Sequence, residues 1–577
     1  MRVRKIKSKN SIHYAIIKDI TNINGKRTTC IYENIGNMDK LKQRAGDMDP
    51  LEWLDNYVKE LNLKNKKETL PVIITKDPTR LIDKNCRCSF NVGYLFLECI
   101  YYKLGLNKIA SKIEDKYKFQ FDFNEILSKL IFSRIIYPAS KLKTLELSKS
   151  FIEQPNFEYQ HIERALPIIS KEMDFIQSEL YKNTQKYCKR NNKILYYDCT
   201  NYYFEIEEED DFRKYGKSKE NRPNPLVQMG LFMDGDAIPM AFNITPGNTN
   251  EQETLQPLEQ KILDDFNLAK FVVCTDAGLA SNDNRKFNNI EGRCFITTQS
   301  LKKMKKHLKE WSLDLTKGWK LPGSDKLYDI SKLRENNELM KNFYDDTFYK
   351  ERWINENGIE QRLIVTYSVK YQEYQRKIRE GQIQRALKLI ETNPKKIGKA
   401  KQNDPKRFIT TINTTKDGEV AEEKHFEINK DIINQEAMYD GLYAVCTNLE
   451  DPVEEIVKIN HSRWEIEESF RIMKSEFKSR PVFHRKEDMI KAHFTTCFLA
   501  LIVYRYLEKE LDKKYTVTEI IDTLKEMNMK LENKDSYIPN YTRTDLTDDL
   551  HDKFGFRTDY EVIDIKKFNK IFTQIKK

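Results

Sequence analysis

Five short runs of β-branched and aromatic residues between Lys193 and Thr298 come in an order that few folds can accommodate. Lys193–Phe204, Leu226–Met233 and Ala237–Ile244 read as strands, the last two joined by Asp234-Gly235, a two-residue hairpin signal. Pro246-Gly247-Asn248 interrupts the pattern. A helix then begins near Asn250, with Glu253 three residues on as a capping-box partner, and runs to about Phe266. Phe271–Cys274 is continuously apolar, as in a strand covered on both faces, and Arg293–Thr298 follows it. A sixth run, Leu442–Thr447, and a strong helix over about Pro452 to Phe477 come only after a long stretch of different character.

Three hairpin-connected strands, a helix, then parallel strands and helices form a ribonuclease-H-like order. The expected class is therefore α/β, a ribonuclease-H-like domain at 191–300 and 441–508 with a large insertion at 301–440. Residues 1–85 read as a small β/α module: His13 to Ile20 and Thr28 to Ile35 are β-rich and joined by Asn24-Gly25, and a helix-like piece covers Pro50 to Leu61. Residues 86–190 read as short helices, Gly93–Leu104, Asn107–Asp115, Phe123–Ile136 and Ile162–Cys188. That is the shape of helix-turn-helix DNA readers, so a helical N-terminal DNA-binding region is expected there. The tail, 509–577, reads as helical.

Composition removes several classes. In 577 residues no apolar run approaches the ~20 residues of a membrane span, and the start, Met-Arg-Val-Arg-Lys-Ile-Lys, carries no secretory signal. Ten scattered cysteines without a CxxC pair read as buried thiols of a reducing compartment. The net charge of +10 is concentrated: Leu301 to Val420 holds 27 Lys and Arg against 17 Asp and Glu, an excess equal to that of the whole chain. Its clusters, Lys302, Lys303, Lys305 and Lys306, then Lys395, Lys396, Lys399, Lys401, Lys406 and Arg407, suit a phosphate backbone, although a solvated helical face explains them as well.

Three carboxylates stand out by position. Asp198 lies inside the first strand, in Leu195-Tyr196-Tyr197-Asp198-Cys199-Thr200, where an acid is costly to bury unless it is paired or holds a cation. Asp276 ends the strand Phe271–Cys274, at the carboxyl edge where open α/β sheets bind their ligands. Glu467 lies in the long helix. At ~100° per residue, Arg463, Glu467 and Lys474 project from one stripe, beside an apolar face made by Ile466, Phe470, Met473 and Phe477. That geometry places Glu467 at the core margin between two cations; an ordinary i,i+4 ion pair would look the same. Asp211, Asp234, Asp236 and Asp283 read as loop, hairpin-turn and cap residues.

Asp198, Asp276 and the stretch His461–Lys474 resemble the catalytic set of bacterial insertion-sequence DDE transposases, in the superfamily with a β-rich insert before its Glu. The signature Tyr-x2-Arg-x3-Glu-x6-Lys is met by Arg463, Glu467 and Lys474, while Asn460 stands at the Tyr position. The run Arg480 to Asp488, followed by Ala492-His493, is similar to the family too.

The resemblance implies a metal-dependent enzyme that cleaves DNA and transfers strands. Asp198, Asp276 and Glu467 would be catalytic and would hold two Mg2+ ions, with Mn2+ as substitute. Arg463 and Lys474 would clamp phosphates, and Trp464 would stack on a displaced base unless it is a core residue. The partners implied are DNA, as terminal inverted repeats and target, and a second copy in a homodimeric paired-end complex. No membrane is involved, and the setting is a bacterial cytoplasm, with nucleoid association when bound to DNA. Two alternatives remain at this point: a domesticated DNA-binding protein on the same fold without catalysis, or another ribonuclease-H-like endonuclease.

Overall fold

The computed structural model describes residues 1–7, 12–21, 27–68, 78–79, 81–266, 268, 270–290, 292–335, 337–394, 397, 403–413, 424–532 and 536–577. The turn signal Asn24-Gly25 and the lysines Lys395, Lys396, Lys399 and Lys401 lie outside the described residues. The chain forms two compact units, Met1–Cys86 with Glu532–Lys534, and Arg87–Leu531 with Asp535–Lys577.

In the smaller unit the strands Arg2–Lys7, Ile12–Thr21 and Arg27–Asn37 make an antiparallel sheet. Helices Met38–Ala45 and Pro50–Glu68 accompany it, and Tyr14, Ile16, Ile35, Leu41, Leu54 and Val58 form its core.

The larger unit is organised by one mixed sheet of eight strands: β1 (Ile194–Tyr203), β2 (Leu226–Asp234), β3 (Pro239–Pro246), β4 (Phe271–Thr275), β5 (Arg293–Thr298), β6 (Thr347–Glu356), β7 (Ile359–Ser368) and β8 (Leu442–Thr447). Their order across the sheet is β6-β7-β8-β5-β4-β1-β2-β3. β1, β2 and β3 pair antiparallel, β1–β4 and β4–β5 pair parallel, and β8 returns antiparallel on β5. The basic stretch does not stand apart from this sheet, since β6 and β7 extend it beyond β8. Trp319, Phe348 and Tyr367 pack a second core there.

Alternation along β1 sends Leu195, Tyr197 and Cys199 into one apolar cluster and Tyr196 and Tyr202 into another. Asp198 and Thr200 therefore share the second face. That face is covered by α1 (Val453–Ser462), α2 (Trp464–Arg471) and α3 (Glu487–Glu510). Nearly every residue of α3 from Ile490 to Glu508 is buried, and helices Tyr94–Lys103, Phe123–Ile136 and Tyr159–Lys171 pack around it.

Two expectations, on the run Ile162–Cys188 and on the tail, are corrected. The run Ile162–Cys188 is two helices, Tyr159–Lys171 and Met173–Tyr187. Helices Tyr94–Lys103 and Phe123–Ile136 bury almost all their residues around α3, whereas Leu106–Tyr117 and Tyr159–Lys171 keep a solvent side. The tail is not helical throughout: Asn528–Glu532, Ser536–Pro539 and Ile563–Asp564 form a four-stranded sheet with Ser89–Asn91, a pairing partner far away in sequence. No described helix is long and apolar enough to cross a membrane.

Candidate active site

The parallel pairing of β1 with β4 runs Ile194–Val272, Leu195–Val273, Tyr196–Cys274. Asp198 and Asp276 each follow the last of these pairs by two residues. They thus occupy matching positions along neighbouring chain segments ~4.8 Å apart, Asp198 within β1 and Asp276 one residue past the end of β4. Both carboxylates are fixed by backbone. Asp198 Oδ1 accepts from the Cys199 N–H at 2.8 Å; Asp276 Oδ1 accepts from the N–H groups of Gly278 at 2.8 Å and Leu279 at 3.1 Å. Gly278 sits close against that carboxylate: a Cβ there would fall 3.2 Å from the same oxygen and push it aside by a few tenths of an ångström.

Glu467 comes over this edge on α2. Arg505 of α3 anchors that helix by donating to the Ser469 hydroxyl at 2.8 Å and the Glu465 carbonyl at 3.3 Å. Asp198, Asp276, Glu467, Arg463 and Lys474 all line one cavity of about 480 Å³. Trp464 does not line it. With 53% of its surface exposed, Trp464 is also not a core residue.

The long helix differs from the regular wheel. It breaks at Arg463, between α1 and α2, and ends in a π-turn over Ile472–Glu476, where the Phe477 N–H reaches the Ile472 carbonyl at 3.0 Å. An i→i+5 turn takes in one more residue than an α-turn, so Lys474 does not follow the 100° step from Glu467. Its long side chain still enters the cavity, donating to the Thr200 hydroxyl at 2.7 Å and standing 3.6 Å from Glu220. Nor is Glu467 wedged at the core margin. Its side chain is 61% exposed and pairs with Arg463 at 3.2 Å.

The cavity is electrostatically mixed. Burial pushes the Asp198 carboxyl up to about 6; Asp276 adds to this, while Lys219, the Cys199 N–H and Arg463 oppose it. Burial first, and then the nearby Lys219 charge, bring Lys474 down to about 8 against the pull of Asp198. Lys219 and Arg480 also line the cavity, and neither was singled out as a site residue in the sequence. They arrive from irregular segments with no periodicity to read. Arg480 and Lys474 share Glu220 as counter-ion.

Rival acids are used elsewhere. Asp234 is buried and bonded by Arg190 at 2.6 Å, Asp236 pairs with Lys509 at 3.2 Å, and Ser281 rather than Asp283 caps the helix at Asn282–Phe287.

The profile of the family described as "Transposase DDE domain" matches residues 193–503, more than half of the chain. The chain belongs to that family. The matched residues begin at the strand of Asp198 and end within α3, enclosing the whole cavity lining. The transposase matches no curated protein. Among solved structures, a piggyBac transposase in a synaptic complex with hairpin DNA, determined by cryo-EM, is similar at 9% identity over 75% of this chain and 78% of that one, with a TM-score of 0.33. That likeness is too distant to transfer any residue.

Membership in the family makes the protein an enzyme of transposition and implies dependence on divalent metal ions. The donor set fits: three carboxylates around one cavity offer hard, anionic oxygens, and backbone bonds hold one oxygen of each aspartate. Among the described residues the one group of three whose ligand atoms lie within 4.8 Å of one another is Asp548, His551 and Asp559; Asp198, Asp276 and Glu467 line their cavity at wider spacing. The first group is an ion-pair network rather than a competitor. Arg557 bonds Asp559 at 2.7 Å, Arg543 bonds Asp548 at 2.8 Å, and His551 Nε2 accepts the Thr558 N–H at 3.1 Å.

Proposed function

We propose that the transposase belongs to a bacterial insertion sequence, binds the terminal inverted repeats of its element, and cleaves and rejoins DNA at the cavity between β1, β4 and α2. The observation that carries this reading is the matching place of Asp198 on β1 and of Asp276 just past the end of the adjacent parallel β4, with Glu467 opening into the same cavity. In this reading the β3-β2-β1-β4-β5 part of the sheet is a ribonuclease-H-like core, and residues 301–440 are an insertion that adds β6 and β7 to it.

Asp198, Asp276 and Glu467 would hold two Mg2+ ions, or Mn2+ in their place. Bound there, the ions would stabilise charge on the attacking and leaving oxygens of an in-line substitution at phosphorus. No protein nucleophile is needed. Water attacks in cleavage, and a DNA 3′-hydroxyl attacks in joining. Arg463 and Lys474 bring positive charge to the scissile phosphate from two sides of Glu467, and a buried guanidinium nitrogen, Arg463 Nε, has no partner among the described residues. Trp464, exposed on α2, is available to stack on a base. Joining two ends in one complex calls for a homodimer.

Asp198→Asn, Asp276→Asn and Glu467→Gln should each abolish nicking of an end-containing duplex while leaving its electrophoretic shift intact. Substantial nicking by any one of the three removes that residue from the catalytic set.

A further inference from the structure

The segment between β1 and β2 carries a cation into the acid cluster, and it is pinned to do so. Asn201, buried on β1 three residues beyond Asp198, donates through Nδ2 to the Lys217 carbonyl at 3.0 Å and accepts the Lys219 N–H on Oδ1 at 3.3 Å. Arg222 stacks over the Tyr203 ring at 4.6 Å. Gly216 passes so close to Gly247 that a Cβ would fall 1.9 Å from its carbonyl oxygen. A backbone fixed at these points delivers Lys219 to the cavity wall. Its ammonium donates to the Cys199 carbonyl, one residue from Asp198, and stands 3.6 Å from Glu251.

The Lys219 side chain is 39% exposed, and the burial of the rest alone would lower its affinity for a proton. The carboxylates of Asp198, Glu251 and Asp276 reverse that and hold it charged. The same ammonium is the largest force keeping Asp198 ionised against its own burial. Lys219 thus lines the same cavity as Asp198 and Asp276, held there by the Cys199 carbonyl and Glu251.

We propose that Lys219 is a resident counter-cation of Asp198 and Asp276, one that an incoming divalent ion has to displace. Metal loading would then release a lysine at the mouth of the site, where a DNA phosphate can take it. This rests on the metal assignment above. Removing the charge should strengthen metal binding because two cations no longer compete for the same carboxylates.

Calorimetric titration of Mn2+ into the full-length protein tests this without DNA or turnover. Lys219→Gln and Lys219→Met are expected to bind about tenfold more tightly than the wild type, and Lys219→Arg to stay near it. Asp198→Asn should lose the site. Unchanged or weaker binding in Lys219→Gln and Lys219→Met, or equal tightening in Lys219→Arg, would overturn the counter-cation while leaving the metal assignment standing. Wild-type binding retained in Asp198→Asn would instead overturn the metal assignment and the inference with it.

Discussion

The side-chain amide of Asn460 donates to the Tyr443 hydroxyl at 2.9 Å. The Thr298 hydroxyl meets the same phenol at 2.7 Å, and Thr298 also reaches Asn460 Oδ1 at 3.4 Å. Three side chains from β5, β8 and α1 thus close a triangle less than one turn ahead of Arg463. Asn460 occupies the position where the transposase signature has a tyrosine. In this chain a phenol hydroxyl comes to that amide from a neighbouring strand, and it ties the strand after the insertion to the helix that leads to Glu467.

Tyr443→Phe should therefore act through stability first. It removes the shared hydroxyl and leaves a buried amide without its acceptor, a change that costs ~1–3 kcal/mol. The expected outcome is a lower midpoint of urea unfolding with an unchanged slope. A midpoint equal to that of the wild type would show that the triangle does not stabilise the fold.

What the sequence revealed follows from what each signal depends on. Asp198 and Asp276 were legible because both sit against short, strongly apolar strands whose alternation and ends can be read directly, and their common register follows once those strands pair in parallel. Glu467 was legible through the spacing of Arg463 and Lys474. The break at Arg463 and the π-turn at Ile472–Glu476 were not, because α- and π-turns draw on the same residue types and differ only in which carbonyl each N–H meets. Lys219 and Arg480 were missed because loops carry no period, and only the tertiary anchors at Asn201 and Glu220 bring them to the site. The strands of the tail were hidden for a related reason. Asn528–Glu532 owes its conformation to Ser89–Asn91, and no local window contains both.

Lys474 gives a second test, this time of DNA contact. Its ammonium is held at the cavity by Thr200 and by Glu220, so a phosphate entering there would exchange one anionic partner for another. Lys474→Ala should weaken binding to end-containing DNA several-fold and reduce the slope of log K against log salt by about 1, the signature of one lost phosphate contact. Fluorescence anisotropy across a salt series measures both. A several-fold loss with an unchanged slope would mean that Lys474 supports the fold of the site rather than meeting the backbone.

The third prediction concerns a cation buried away from the cavity. Lys141, the first residue of the helix Lys141–Ser148, is 5% exposed. Burial, joined by the Arg134 charge, lowers its proton affinity to about 7. His484 and His493 face the same region, and burial also drives them towards the neutral form. In the unfolded chain Lys141 would titrate near 10.5. Between pH 7 and that value the unfolded state binds the extra proton, so stability should rise with pH across this window. The full penalty falls below pH 7, where a charged ammonium has to be buried. Lys141→Met keeps the apolar stem and removes the charge. It is expected to raise stability at pH 6 by on the order of 2–4 kcal/mol, with the gain shrinking towards pH 9.5. Urea unfolding of both proteins from pH 6 to pH 9.5 measures the difference directly. Two parallel curves would show that Lys141 finds compensation in the fold and carries no burial penalty.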